Sequence, residues 1–330
     1  MPHQIFDRSK LKLRPLDERI HDLSIDALIS IDADLEPFDN PAIVPLAQAI
    51  LAAQKKNASV ILMYGAHVIR SGCGPHMIEM MKRGQVSHLA TNGAGSIHDF
   101  ELSLIGHTCE SVARYVSEGQ FGLWNETGKI NDVIAEGCAE GLGWGEALGR
   151  YIWENNLPYR EQSVIAMAYK IGIPCTVHIG VGNDIIHEHP NCDGAALGQA
   201  SYTDFLIYTH AVTKLEGGVF LNFGSAVTGP EVYLKALAMA RNVAHQSGER
   251  IANFSTAVFD IIPVESNDLG TAPQKGDPRY YFRPWKTILA RTVADGGKSY
   301  YVQGEHRLTL PHLARMVWSL DECAEQANGS

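Results

Sequence analysis

The stretch Ser59-Val60-Ile61-Leu62-Met63-Tyr64-Gly65 decides the fold class. It is a short apolar run, long enough for a buried strand, and it ends at a glycine. Upstream, Asn40 can cap a helix and Pro41 suits its first turn, while Ile43, Val44, Ala47, Ile50 and Leu51 recur at helical spacing. Downstream, a helix over Met77 to Lys82 leads to a strand, His88-Leu89-Ala90-Thr91, and a loop, Asn92-Gly93-Ala94-Gly95. The alternation continues. Helices near 145–155 and 161–171 precede a strand from Cys175 to Ile179. A helix from Gly194 to Thr213 precedes Val219 to Phe223, and a helix near 230–246 precedes Ser255 to Ile262. Ser299 to Val302 is a further strand, and a last helix runs from Leu310 to Ala327. Strands alternating with helices predict crossover units, hence an α/β fold with a mostly parallel sheet and helices on both faces. Residues 1–36 read as a mixed, charged N-terminal extension that packs on something else, and residues 37–330 as a single domain. Ser266 to Pro284 is a long Pro/Gly-rich loop of the kind that often carries function.

Composition narrows the class. The chain has 330 residues, 45% hydrophobic and 19% charged, enough for a sizeable core and far from a disordered composition. Its net charge of -10 argues against general nucleic-acid binding. The six cysteines are scattered without a CxxC, which reads as reduced thiols in a cytosol. With no signal-peptide pattern and no apolar run of about 18 residues, the expectation is a cytoplasmic protein without a membrane span.

In open parallel sheets, ligands bind beyond the carboxyl ends of the strands. Each expected strand end here carries glycine with small or ionisable residues. His67 and Ser71 follow Tyr64; Asn92, His98, Asp99 and Glu101 follow Thr91; Asp184, His187 and His189 follow Ile179. Ser225, Thr228 and Glu231 follow Phe223, and Glu305 and His306 follow Val302. The dinucleotide fingerprint GxGxxG is absent in its usual form, because Gly180-Val181-Gly182 is followed by Ile185 at the third glycine position. His178, His187 and His189 with Asp184 have residue types that bind metal, but there is no HExxH, and no metal is assigned. Lys286 follows Trp285. A lysine desolvated beside an aromatic wall can attack an imine or carbonyl carbon; the alternative is a surface lysine at a helix start.

Four segments, YGAHVIRSG…VSHLATNGAGSIHDFE, IPCTVHIGVGND, GGVFLNFGSAV and RPWKTI, together resemble the deoxyhypusine synthase family, in its bacterial deoxyhypusine synthase-like branch. The order and spacing agree from about residue 40 to residue 320. The resemblance implies a Rossmann-like sheet, a homotetramer with active sites shared between subunits, NAD as redox cofactor and spermidine as donor. An N-terminal extension of the family can cover a neighbouring site. The NAD loops would be Gly65, Ala66, His67, Val68 and Ile69, then Thr91, Asn92 and Gly93, with Ser225, Glu305 and His306. Asp184 would hold the amine, joined by Asp99, His187 and Trp285, and Lys286 or His98 would carry the chemistry.

The sequence also departs from the family motif. Trp285-Lys286-Thr287-Ile288 stands where the family has Trp-Gly-Lys-Ile, so Thr287 occupies the position of the nucleophilic lysine. Ile97, Tyr281 and Ile179 stand at acidic positions, and Pro230 stands at that of a histidine base. The implied activity is an NAD-dependent transferase acting on a polyamine or related amine, with aminobutyl-type transfer through an imine. A C–N hydrolase of a guanidine- or amine-bearing metabolite and a catalytically silent NAD-binding homologue are the alternatives.

Overall fold

The computed structural model describes residues 3–264 and 269–328. Along the chain run β1 (Leu23–Ser24), α1 (Ile43–Lys55), β2 (Val60–Tyr64), α2 (Ala66–Arg70), α3 (Gly74–Lys82), β3 (His88–Asn92), α4 (Gly93–Ile105) and β4 (His107–Thr108). Next come α5 (Val112–Ser117), α6 (Lys129–Ala139), α7 (Trp144–Glu154), α8 (Val164–Ile171), β5 (Cys175–His178) and α9 (Gly194–Thr213). The last are β6 (Val219–Phe223), α10 (Thr228–Gln246), β7 (Ser255–Asp260), β8 (Lys298–Gln303) and α11 (His306–Asn328). A π-helical stretch spans Pro284–Arg291.

Six strands form one sheet in the order β5-β3-β2-β6-β7-β8, with every pairing parallel. The chain starts in the middle at β2, builds outward to β5, returns to the other side of β2 at β6, and builds outward again. This is the doubly wound order of dinucleotide-binding sheets, and its switch point lies between β2 and β6. The fold is therefore α/β and Rossmann-like.

The run that decided the fold class shows why it is apolar throughout. Side chains alternate between faces of a strand. Val60, Leu62 and Tyr64 join the core under α1, α3 and α11, while Ile61 and Met63 join the opposite core with Phe220, Tyr208, Tyr233 and Trp285.

Two expectations need correction. Asn92-Gly93-Ala94-Gly95 is not a loop: β3 runs directly into α4, and the Asn92 Oδ1 accepts the Gly95 N–H at 2.9 Å. Asparagine is a strong N-cap, and here the two glycines sit inside the first helical turn rather than in a turn of their own. The N-terminal segment packs on its own chain. β1 pairs antiparallel with β4, Ile29 N–H donates to Gly72 O at 2.9 Å, and Arg315 donates to Ile31 O at 2.8 Å. Of the long loop beginning at Ser266, residues 266–268 lie outside the described residues.

Candidate functional site

All six strands end on one edge, so their following loops meet there. At the switch point Gly65 and Gly224 are in near contact: a Cβ on Gly65 would sit 2.6 Å from Gly224 O. Gly224, at φ +61, also receives the ring of His306, whose Nε2 would be 2.3 Å from an added Cβ. His306 is 5% exposed, and its Nδ1 has no hydrogen-bond partner among the described residues. Burial, with the His67 charge adding to it, pushes His306 down to about 4, so the ring is neutral at pH 7. A cavity of about 770 Å³ opens beside this point, lined by His67, Arg70, Ser71 and Glu305 and by the N-terminal segment from Asp26 to Glu36.

The other residues expected at the cofactor contribute differently. Val68 and Ile69 are buried apolar side chains of α2, so only their backbone belongs to the turn. Thr91 donates its hydroxyl to Tyr64 O at 3.0 Å, tying β3 to β2. Ser225 Oγ accepts the Gly229 N–H at 2.8 Å near the start of α10. For a dinucleotide, the fit rests on the close glycine turns, the adjoining cavity and the unsatisfied His306 Nδ1.

A second cavity of about 290 Å³ lies beside α4, lined by Arg19, Arg70, Ala94, Ile97, His98, Glu101, Cys109, Glu110, Val112, Phe121, Asn183, Asp184 and Ile185. Asp184 reaches it from the loop after β5. Its carboxylate rests on Gly93, where a Cβ would lie 2.1 Å from Oδ2, so the glycine makes room for the acid. Burial raises Asp184 to about 6, opposed by the Ala94 N–H that it accepts. Glu110 is also raised by burial, although it accepts Gly122 N–H and Trp124 Nε1–H, each at 2.9 Å.

His98 sits at the end of a buried polar chain. Glu101 is clamped by Arg19 through two bonds of 2.8 Å. Burial alone would raise its pKa, but the Arg19 hydrogen bonds and charge hold it below the usual range. Glu101 is thus a carboxylate and only accepts. Thr108 must donate to it, at 2.7 Å, and therefore accepts from His98 Nδ1 at 2.8 Å. The His98 proton is placed on Nδ1, leaving a lone pair on Nε2. Burial lowers His98 to about 4, so the ring is neutral at pH 7.

Several sequence candidates do not come together here. Asp99 faces the opposite way: its carboxylate accepts from Ser163 Oγ, from Val164 N–H at 2.7 Å and from Ile165 N–H at 3.2 Å, capping α8. His187 caps its own turn, its Nδ1 accepting Gly182 and Asp184 N–H at 3.1 Å. His178 shares Thr176 with His88, and His189 donates to Gly122 O at 2.8 Å. Among the described residues no three His, Cys, Asp or Glu side chains group to hold a metal ion.

Lys286 is 4% exposed, which corrects the surface-lysine reading; its ammonium lies 3.3 Å from the Tyr280 ring centre. Trp285 is buried beside it in the core and donates to Leu269 O at 3.2 Å. Neither lines the two cavities above. Sequence reasoning missed Arg19, Arg70, Cys109 and Glu110. Arg70 lies within the stretch after Tyr64 but was passed over for His67 and Ser71, and the other three lie outside the strand-end loops that guided the reading.

No family model matches the chain, and no curated protein matches it. Among the described residues no helix is long and apolar enough to cross a membrane. Solved structures do match. The chain superposes on ArgZ, an arginine dihydrolase from the ornithine–ammonia cycle in cyanobacteria, with 15% identity and a TM-score of 0.50, over 86% of this chain and 33% of that one. It thus spans about a third of ArgZ. A candidate LOR/SDH protein from Methanococcus maripaludis S2 matches with 14% identity and a TM-score of 0.50, over 87% of this chain and 72% of its own. A candidate deoxyhypusine synthase from Entamoeba histolytica matches 91% of this chain and 97% of its own at 11% identity, but its TM-score of 0.40 carries no weight. At these identities the likeness is one of fold, and it is the Rossmann-like fold described above.

Proposed function

We propose that the protein is an NAD-dependent enzyme acting on a small amine-bearing substrate. The observation that carries this reading is the meeting of Asp184 and His98 in one cavity at the strand-end edge, which shares Arg70 with the cavity beside the β2–β6 switch point. A bound NAD would supply the hydride acceptor for oxidation at the carbon that bears the amine. The chain's own residues do the rest. Asp184 holds the ammonium. His98 Nε2 takes a proton, and the Thr108–Glu101–Arg19 chain keeps the other ring nitrogen occupied. Ile97, Val112, Phe121 and Ile185 form the apolar walls that limit water. NAD titration by calorimetry, followed by optical detection of nicotinamide reduction across a panel of amines, tests the reading. Binding with turnover supports it, and no NAD binding sinks it. NAD binding without turnover by any amine marks a silent homologue.

The narrower form is aminobutyl-type transfer through an imine on Lys286, with spermidine as donor and a homotetramer as the working assembly. Burial of Lys286 against the Tyr280 ring is the observation that supports this form. Borohydride reduction with NAD and spermidine should leave an adduct on the Lys286 peptide; an unmodified peptide removes this form. Hydrolysis of a C–N bond is the second reading, supported by the thiol of Cys109, which lines the same cavity as Asp184 and His98. Native mass spectrometry gives the assembly and any bound NAD in one measurement.

A further inference from the structure

We infer that the cavity beside α4 takes a zwitterion, a small molecule that carries a carboxylate as well as a cationic amine or guanidine, rather than a bare polyamine. The inference rests on the reading above and names its substrate class. Six ionisable side chains besides Cys109 face the cavity: Arg19, Arg70, His98, Glu101, Glu110 and Asp184. Arg19 and Glu101 cancel one another through their paired 2.8 Å bonds, with both side chains 1% exposed. His98 is neutral. The charges left over are of both signs.

Asp184 and Glu110 are the negative pair. Among the described residues their hydrogen bonds come from uncharged donors: Ala94 N–H and, in a capping box, His187 N–H on Asp184, and the Gly122 and Trp124 donors on Glu110. Among the described residues no Lys or Arg nitrogen makes an ion pair with either, and burial raises both. A bound cation would supply the missing partner. Arg70 is the positive group. It lines both cavities and lies close enough to Cys109 and His98 for its charge to act on each, and no described carboxylate forms an ion pair with it. A molecule with cationic groups alone would set one of them near Arg70. A molecule with a carboxylate there and an ammonium or guanidinium at Asp184 and Glu110 satisfies every group. An arginine fork suits a planar carboxylate in particular.

The test compares matched pairs by calorimetry, with and without NAD: L-ornithine against putrescine, L-lysine against cadaverine, and L-arginine against agmatine. Each amino acid should bind at least about tenfold more tightly than its decarboxylated partner, the worth of one charge-assisted contact. Arg70→Leu should bring each ratio below about threefold, and Arg70→Lys should restore part of it. Diamines that bind equally well or better, or no binding by any of these ligands, overturn the inference whatever the variants do. A preference that survives Arg70→Leu overturns the role given to Arg70. NAD binding with no amino-acid preference removes this inference alone; absence of NAD binding removes the parent reading, and the ligand ratios without NAD are read independently.

Discussion

The guanidinium of Arg19 meets the carboxylate of Glu101 through two parallel 2.8 Å hydrogen bonds, and both side chains are almost wholly buried. The two residues stand 82 positions apart, one in the N-terminal segment and the other in α4. Burying such a pair is costly, and removing one member leaves the other charged, dry and alone. Arg19→Ala should therefore destabilise the fold by about 3–5 kcal/mol in urea unfolding. A loss under about 1 kcal/mol would mean that water replaces the guanidinium and that the segment is only loosely docked.

The same pair sets the state of His98. Because Glu101 only accepts, Thr108 must donate to it, and His98 Nδ1 must carry a hydrogen toward Thr108. Nitrogen-15 spectra of the histidine rings should show His98 as a neutral Nδ1–H tautomer at pH 7. In Thr108→Val the acceptor is gone, and the ring should populate both tautomers. A wild-type His98 protonated on Nε2 would contradict the chain of donors, and with it the free lone pair on which the proposed proton transfer depends.

Much of the framework was legible in the sequence, and for a definable reason. A parallel strand buried on both faces must be apolar throughout, so Val60–Tyr64 and Val219–Phe223 announce themselves. The strand-end rule then gathers His67, Asp184, Glu305 and His98 on one edge. The rule is blind to which way a side chain points. Asp99 follows His98 by one residue, and on a helix one residue is about 100° of rotation, enough to turn it from the cavity to the cap of α8. Arg19 and Glu110 were invisible for another reason. Their place depends on the pairing of β1 with β4 and on the Gly122 turn, and two-residue strands leave no periodic signal.

Two glycines at the strand ends distinguish the proposed cofactor site from the proposed substrate site. Gly65→Ala would drive a methyl to 2.6 Å from Gly224 O, which is backbone and cannot swing aside. The β2 and β6 turns must part, and NAD affinity should fall by more than about tenfold. Gly93→Ala instead strikes the carboxylate of Asp184 at 2.1 Å, a side chain that can rotate away. Its amine affinity should fall by a similar factor while NAD affinity changes by less than about threefold. Calorimetry on both variants checks the split. Equal losses of both ligands in each variant would place them in one undivided site.

Asp184 gives opposite pH responses to folding and to binding. Its value rises from 3.8 to about 6 because burial penalises the carboxylate. Asp204, buried beside the Gly145 and Val177 N–H groups, rises further, to about 8, for the same reason. For these groups the folded state holds its proton more tightly than the unfolded one, so the stability they contribute is full below the unfolded value and is lost as pH rises through the folded value. Buried His98 and His306, held at about 4, add stability with the opposite slope as pH rises from about 4 to 6.5, so urea midpoints should decline only above about pH 6.5, toward pH 8, and Asp204→Asn should flatten that decline. An amine needs the ionised Asp184, with Glu110, Arg70 and His98 across the cavity and His187 beside it. Cation binding should strengthen as pH rises through about 6, and Asp184→Asn should remove most of that dependence. If amine affinity stays level as pH rises through about 6, Asp184 is a buried acid of the fold and the cation is held elsewhere.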